Sequence, residues 1–279
     1  MTPDTIETFH GQTIQHGKYN NRIYLMKFNS NNNGKLPFKL IELAEKKQYS
    51  KIFAKVHHEY IEEFLNLGFL CEAIIPCFYN GRQTACLLSY YMDSARRKSA
   101  TPKENEKVIE ACRKKQQAAN HAAELPPSMT LRRGTPEDAS AMAILYRHVF
   151  KSYPFPIDDP EYIRRTMKTY VDYFGIWQAD KLAALSSAEI DAGLGNAEMT
   201  DFATSPESRG KSLALILLKH MEEALRKKNI KTFYTIARAA SFGINITFAK
   251  QGYTFSGRLI QNTQIDGRFE DMNVWYKTI

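Results

Sequence analysis

Glu198-Met-Thr-Asp-Phe-Ala-Thr204-Ser-Pro206-Glu-Ser-Arg209-Gly210-Lys211-Ser212-Leu213-Ala214-Leu-Ile-Leu-Leu218 is the stretch from which the rest of the chain is read. It reads as a β-strand, a tight basic turn and then an amphipathic helix. A turn of this kind leaves backbone N–H groups unpaired at a helix N-terminus, where the helix dipole also favours negative charge. Arg209 and Lys211 add two cationic side chains at the same place. The combination suits a pyrophosphate. It matches neither G-x-G-x-x-G nor G-x-x-x-x-G-K-[ST], so the dinucleotide and Walker readings lack their signatures.

The 279 residues suffice for one large domain or two ordinary ones. A composition of 43% hydrophobic and 24% charged residues is that of a soluble globular protein. No apolar run approaches a membrane span, and the polar, acidic start Met1-Thr-Pro-Asp-Thr-Ile-Glu7 has no signal pattern. A cytoplasmic location follows as the expectation. Cys71, Cys77, Cys86 and Cys112 lack C-x-x-C pairing or zinc-finger spacing, so free thiols and no metal site are expected. The net charge of +8 could serve nucleic acid, membrane or an anionic cofactor. Its local runs, Arg96-Arg-Lys98 and Arg113-Lys-Lys115, read as a solvated linker face without a nucleic-acid or membrane-anchor pattern.

Upstream, hydrophobic alternation and turn residues predict strands at 21–28, 50–56, 69–79 and 83–92. Helices are expected from Pro37 to Lys47 and from His57 to Leu67. Asn80-Gly81 is a type I′ hairpin signal, and Gly68 a helix-ending glycine. Strand, helix, strand, helix, hairpin is also the order from Asn196 to the C-terminus. Phe64-Leu-Asn-Leu-Gly68-Phe69 even parallels Phe248-Ala-Lys-Gln-Gly252-Tyr253. Residues 1–92 therefore read as a degenerate copy of the second half of the C-terminal fold, without a phosphate turn, used for packing or dimerisation. Residues 93–127 turn polar and charged and form the linker, helical over 104–123 and stopped by Pro126-Pro127.

Residues 128–279 give strand, helix, helix, three strands, helix, strand, helix, strand, strand. The helices are placed at 136–150, 161–169, 209–228 and 241–251, and the closing strands at 253–260 and 273–277. Arg209-x-x-Ser212-x-Ala214 resembles the acyl-CoA turn of the GNAT acetyltransferases, Gln/Arg-x-x-Gly-x-Gly/Ala, with Ser212 where that family prefers Gly. The element order is that of the same fold, an α/β (α+β) class with a mixed central sheet flanked by helices. Tyr153-Pro-Phe-Pro-Ile157, Thr200-Asp-Phe-Ala-Thr204, Thr235-Ile-Ala-Arg-Ala239, Gly243-Ile-Asn-Ile-Thr-Phe248, Met272-Asn-Val-Trp-Tyr-Lys277, Ile14-Gln-His-Gly17 and Ile52-Phe-Ala-Lys-Val56 resemble, more narrowly, the β-lysine N-acetyltransferases.

That resemblance implies acetyl transfer from acetyl-CoA to the N6 amine of β-lysine (3,6-diaminohexanoate), giving a compatible solute. It implies a small-molecule amine as the partner, no nucleic acid and no membrane, with a homodimer left open. Another diamine or amino acid as acceptor, or a non-catalytic acyl-CoA-binding module, are the alternatives. It maps cofactor contacts onto Arg209, Gly210, Lys211, Ser212, Leu213 and Ala214, an acyl-carbonyl donor onto Phe202, Ala203 or Thr204, and a pantetheine contact onto Asn245 or, instead, a capping role there. Phe248 stands where many members carry a tyrosine general acid; Tyr253 or Tyr234 could substitute.

The chemistry needs a neutral amine. At a reference pKa of about 10.4, freeing a lysine-like amine near pH 7 costs roughly 4.6 kcal/mol, for which a nearby carboxylate, acting directly or through water, is the usual remedy. Glu198 is the first candidate base and Asp201 the second. Their odd offset puts them on opposite faces of a strand unless a bulge intervenes. Asp158 and Asp159 in the Pro-rich loop and Arg238 are candidates for holding the acceptor, against capping and surface-pairing roles.

Overall fold

The computed structural model describes residues 4–29, 34–117 and 123–279. Most of the expected helical extension from Ala118 to Ala123 and most of the polar turn after Asn29 lie outside them. The N-terminal half runs β1 (Thr5–Phe9), β2 (Gln12–Gly17), β3 (Arg22–Lys27), α1 (Leu36–Lys47), β4 (Lys51–His57), α2 (Ile61–Leu65), β5 (Leu70–Tyr79) and β6 (Gln83–Tyr91). Then come α3 (Pro102–Gln117), β7 (Met129–Arg133), α4 (Ala139–Val149), α5 (Pro160–Met167), β8 (Val171–Gln178), β9 (Lys181–Asp191) and β10 (Asn196–Thr204). The chain closes with α6 (Leu213–Arg226), β11 (Thr232–Arg238), α7 (Phe242–Lys250), β12 (Thr254–Ile265) and β13 (Arg268–Thr278).

Two sheets result, of order β1-β2-β3-β4-β6-β5 and β12-β13-β11-β10-β9-β8-β7. In the first, β3 and β4 are parallel while β4–β6 and β6–β5 are antiparallel. In the second, β10–β11, β11–β13 and β13–β12 repeat that pattern. The internal repeat extends further than the expected five elements, because β1 and β2 precede β3 as an antiparallel meander, as β8 and β9 precede β10. Local chemistry explains the shared turns. Asn80 and Gly81 take φ of +54° and +70°, as a type I′ turn demands, and Gly68 and Gly252 end the two short helices at φ of +90° and +80°.

Three sequence expectations change. The closing hairpin is longer than expected, pairing through Ile265 and Arg268 around an Asp266-Gly267 turn; a register shift between Leu259 and Thr263 breaks the alternation that marks a strand. The polar segment after residue 93 is not a free-standing linker, since α3 buries Val108, Ile109 and Cys112 in the core shared with α6 and α7. Nor is Arg96 on a solvated face. It is buried, donates to the carbonyls of Asn20, Asn21 and Gln261 and to Ser50 Oγ, and stacks on Phe269 at 3.8 Å.

The C-terminal sheet is covered unequally on its two faces. One carries Phe174, Ala188, Ala197, Met199, Phe233 and Trp275 against α3, α6 and α7. The other is covered in part by α4 and α5, over Tyr173, Leu185 and Ala203. The rest of that face meets the N-terminal sheet, where Tyr234, Leu259 and Val274 pack with Tyr24, Phe53 and Ile75. The two sheets touch backbone to backbone where β12 crosses β5: a Cβ on Gly257 would lie 2.0 Å from the Glu72 carbonyl oxygen. Beside it, Ser256 Oγ accepts the Ile74 N–H at 2.8 Å and donates to the Ile74 carbonyl. Among the described residues no helix is long and apolar enough to cross a membrane.

Candidate active site

The candidate site lies between the two covers of that second face. Alternation along β10 sends Ala197 and Met199 into the helical core and turns Glu198 the other way. Its cross-strand neighbours are Glu189 on β9 and Tyr234 on β11. The register of β10 against β9 then shifts between Thr200 and Ala203, and Asp201 takes φ of +54° within the shift. This bulge removes the odd-offset obstacle. Asp201 accepts hydrogen bonds from Ser187 Oγ and Tyr153 Oη, both at 2.5 Å, and Ser187 is two residues from Glu189 on the same strand face. Glu189, Glu198 and Asp201 thus share one side of the sheet.

Side chains directly opposite on antiparallel strands have Cβ atoms about 5 Å apart, a spacing at which like charges repel. Burial, then Glu198 and Asp201, push the Glu189 carboxyl up to about 8, with Lys55 opposing. Burial also raises Glu198; Lys55 pulls it back down, as does a hydrogen bond from Tyr234. Asp201 is raised by burial against the hydrogen bonds from Ser187, Tyr153 and Thr200. The opposing charge comes from the other half of the molecule: Lys55 Nζ on β4 donates to Tyr234 Oη at 3.0 Å. A cluster of carboxyls with pKa values raised toward neutrality is suited to taking a proton from an ammonium group.

A cavity of about 200 Å³ is walled by the Pro-rich loop, with Tyr146, Lys151, Tyr153 and Asp158 in its lining and Tyr19 from the N-terminal half; Tyr153, bonded to Asp201, links it to the carboxyls. The proposed acceptor residues are each engaged locally. Asp158 pairs with Arg147 at 3.6 Å, Asp159 caps α5 by accepting the Glu161 N–H, and Arg238 pairs with Glu270 at 3.0 Å.

On the neighbouring edge, β10 pairs with β11 only from Asn196 to Glu198, and the two strands part beyond that point. Phe202, Ala203 and Thr204 lie past the parting. The turn follows. The helix begins at Leu213, later than the expected Arg209, because Gly210 and Ser212 both take left-handed conformations at φ of +81° and +56°. For Ser212 that conformation costs roughly 1–2 kcal/mol, which is the physical reason glycine suits this position. The backbone N–H groups from Gly210 to Ala214 have no backbone partner among the described residues, and Arg209, Gly210, Lys211 and Ser212 are exposed. A pyrophosphate fits this turn: five N–H donors, a helix N-terminus and two free cations.

Asn245 has no capacity left for a pantetheine arm. Its amide donates to the Arg238 and Ser241 carbonyls and accepts from Asn273 and Trp275, all within 2.9 Å. It therefore holds the β11–α7 junction to β13 from within α7, whose N-cap Ser241 makes no side-chain cap. Phe248 is buried edge-on to Phe202, with ring centroids 5.6 Å apart. Tyr253 is buried in the helical core, across the sheet from Glu198, whereas Tyr234 stands beside Glu198. Among the described residues no group of three or more His, Cys, Asp or Glu side chains is arranged to hold a metal ion.

Glu189 and Lys55 are the charged residues that the sequence did not single out. Glu189 could have been found by counting the hairpin register back from the Gly193–Gly195 turn. Lys55 could have been found as the one charge within the apolar run Ile52-Phe-Ala-Lys-Val56.

Comparison with known proteins places the chain in a family. Residues 142–253 match the acetyltransferase (GNAT) family. Over 264 residues, 95% of each chain, the sequence is 39% identical to a β-lysine N6-acetyltransferase of Methanococcus maripaludis. It is 33% identical over 95% of each chain to the N-acetyltransferase YodP of Bacillus subtilis. To a β-lysine N6-acetyltransferase of Methanosarcina mazei it is 33% identical, covering 85% of this chain and 94% of that one.

Proposed function

The chain belongs to the acetyltransferase (GNAT) family, an enzyme family that uses acetyl-CoA, and on that premise we propose that its acceptor is the N6 amine of β-lysine. The product, N6-acetyl-β-lysine, is zwitterionic and suits a compatible solute. The observation that carries the acceptor is the 39% identity along 95% of both chains to a relative of that name. The charge of the site supports it: three carboxyls and one ammonium face an amino acid with two amines and one carboxylate. We further propose that the enzyme works in the cytoplasm on this small molecule, without nucleic acid or membrane.

Acetyl-CoA supplies the activated acyl group. In this reading Arg209, Lys211 and the N–H groups of Gly210 to Ala214 hold the pyrophosphate, and the parted edge of β10 takes the pantetheine arm. A backbone N–H of Phe202, Ala203 or Thr204 donates to the acyl oxygen and offsets the charge that develops there. Glu198 accepts the proton of the entering ammonium. Its raised pKa narrows the gap to an amine near 10.4. Glu189 and Asp201 hold the same cation from the adjoining strand and from the bulge. No tyrosine at 248 protonates the departing thiolate. A thiol pKa near 8.5 makes that loss affordable.

A thiol-release assay with acetyl-CoA across β-lysine, α-lysine, ornithine, putrescine and spermidine tests the acceptor. Turnover highest on β-lysine is the expected result; equal or absent turnover on it overturns the assignment.

A further inference from the structure

Strand β4 belongs to the N-terminal half, and its alternate residues serve two different neighbours. Ile52, Ala54 and Val56 are buried in that half's own core. Phe53 instead packs in the cluster shared with Tyr234 and Val274 of the C-terminal sheet, and Lys55 follows on the same strand face. Its ammonium lies 5.1 Å from the centre of the Tyr234 ring and 5.3 Å from that of Phe78, and donates to Tyr234 Oη at 3.0 Å. Aromatic contacts of this kind hold a desolvated cation without neutralising it.

We propose that Lys55 is a positioning residue of the acetyl-transfer site, the fixed positive charge against which the opposed Glu189–Glu198 pair is set, so that the N-terminal half completes the active site. The proposal rests on Glu198 as the base. Two carboxyls placed directly opposite each other in a poorly solvated site do not both ionise, and without a counter-charge both tend to hold protons. A protonated carboxyl cannot take a proton from an ammonium. Lys55 favours ionisation of the pair, and it does so through space and from its bond to Tyr234, which stands directly opposite Glu198 on β11. The carboxylate oxygens are thereby not tied up in a direct ion pair with the lysine and stay available to the acceptor.

Every neighbouring element contributes to the balance. Glu189 from β9 and Glu198 and Asp201 from β10 are the acids, and Tyr162 and Tyr170 bear on Glu189 from the α5 side. Tyr153 from the Pro-rich loop is bonded to Asp201. Tyr234 from β11 and Tyr24 from β3 flank the ammonium, and Arg22 lies 5.4 Å over the Tyr24 ring. Among the described residues, Lys55 is the cation whose field pulls both Glu189 and Glu198 down.

The test is the pH dependence of kcat/KM for the full-length protein at saturating acetyl-CoA, in Lys55→Met, Lys55→Gln and Lys55→Arg. Loss of a neighbouring positive charge raises a carboxyl pKa, so the acidic limb of the Met variant is expected about 1–3 pH units higher, with activity recovering at alkaline pH. Lys55→Gln, which keeps a donor for Tyr234, moves in the same direction and serves if the Met variant does not fold. Lys55→Arg restores the limb, and acetyl-CoA affinity measured by titration is unchanged throughout. A neutral variant whose acidic limb superimposes on wild type overturns the proposal. The profile is recorded with whichever amine turns over fastest, so a failure of the β-lysine assignment leaves this comparison intact. Glu198→Gln run alongside separates failure of the base from failure of Lys55.

Discussion

Replacing Glu189 with Gln removes a charge while keeping the shape of the side chain, and its effect on stability should depend on pH. In the fold this carboxyl is pushed from 4.5 up to about 8, by burial first and then by Glu198 and Asp201. The sign follows from proton release. Between those two values the unfolded chain gives up its proton and the fold retains it, so the fold loses ground as pH rises. Above both values the full cost is reached, at most about 5 kcal/mol at ~1.4 kcal/mol per pH unit. Glu189 keeps a partly exposed edge, and solvent screening reduces the cost by about half, to ~2 kcal/mol. Gln carries no such dependence. Thermal midpoints of the ligand-free protein at pH 5 and pH 9 measure the difference. The variant should match wild type closely at pH 5 and melt about 4 °C higher at pH 9. A stability difference of the same size at both pH values would refute the reasoning, because only a titrating carboxyl produces the slope. Turnover should move the opposite way, with a higher KM for the amine.

Glu198→Gln should lower kcat/KM at neutral pH and flatten its acidic limb; a profile superimposable on wild type would send the search for the base elsewhere. Arg209→Ala and Lys211→Ala should each raise the KM for acetyl-CoA by about tenfold with kcat little changed, and high salt should mimic them, since each removes a charge-assisted contact of roughly 1.5 kcal/mol. Unchanged KM values in both would take the pyrophosphate away from this turn. Gly257→Ala should destabilise the protein by about 1–3 kcal/mol, because the new Cβ meets the Glu72 carbonyl where the halves touch; a thermal midpoint equal to wild type would mean that the two sheets part freely there.

The legible parts of the sequence were those encoded locally. The strand–turn–helix from Glu198 to Leu218, the Asn80-Gly81 hairpin and the glycines at 68 and 252 carry their own conformational preferences, and each appears in the fold. The β1–β2 meander was not anticipated, although Ile14 to Gly17 had contributed to the resemblance; the exposed β1 has no buried alternation to reveal it. Arg96 looked like a solvated charge because nothing local announces that Asn20, Asn21, Ser50 and Gln261 will converge on it.

By itself the sequence determined the fold class, the internal repeat and the strand–turn–helix, and made Glu198 the first candidate, all from patterns spanning a few residues or a whole-chain likeness. Tertiary structure alone decided what surrounds Glu198. The bulge at Asp201 reversed a rule of alternation, and the β9–β10 register set Glu189 opposite Glu198. Docking of the two sheets brought Lys55 to Tyr234 across 179 positions of chain. Electrostatic coupling depends on distance through space and on exclusion of water, and neither is written in the neighbours of a residue along the chain.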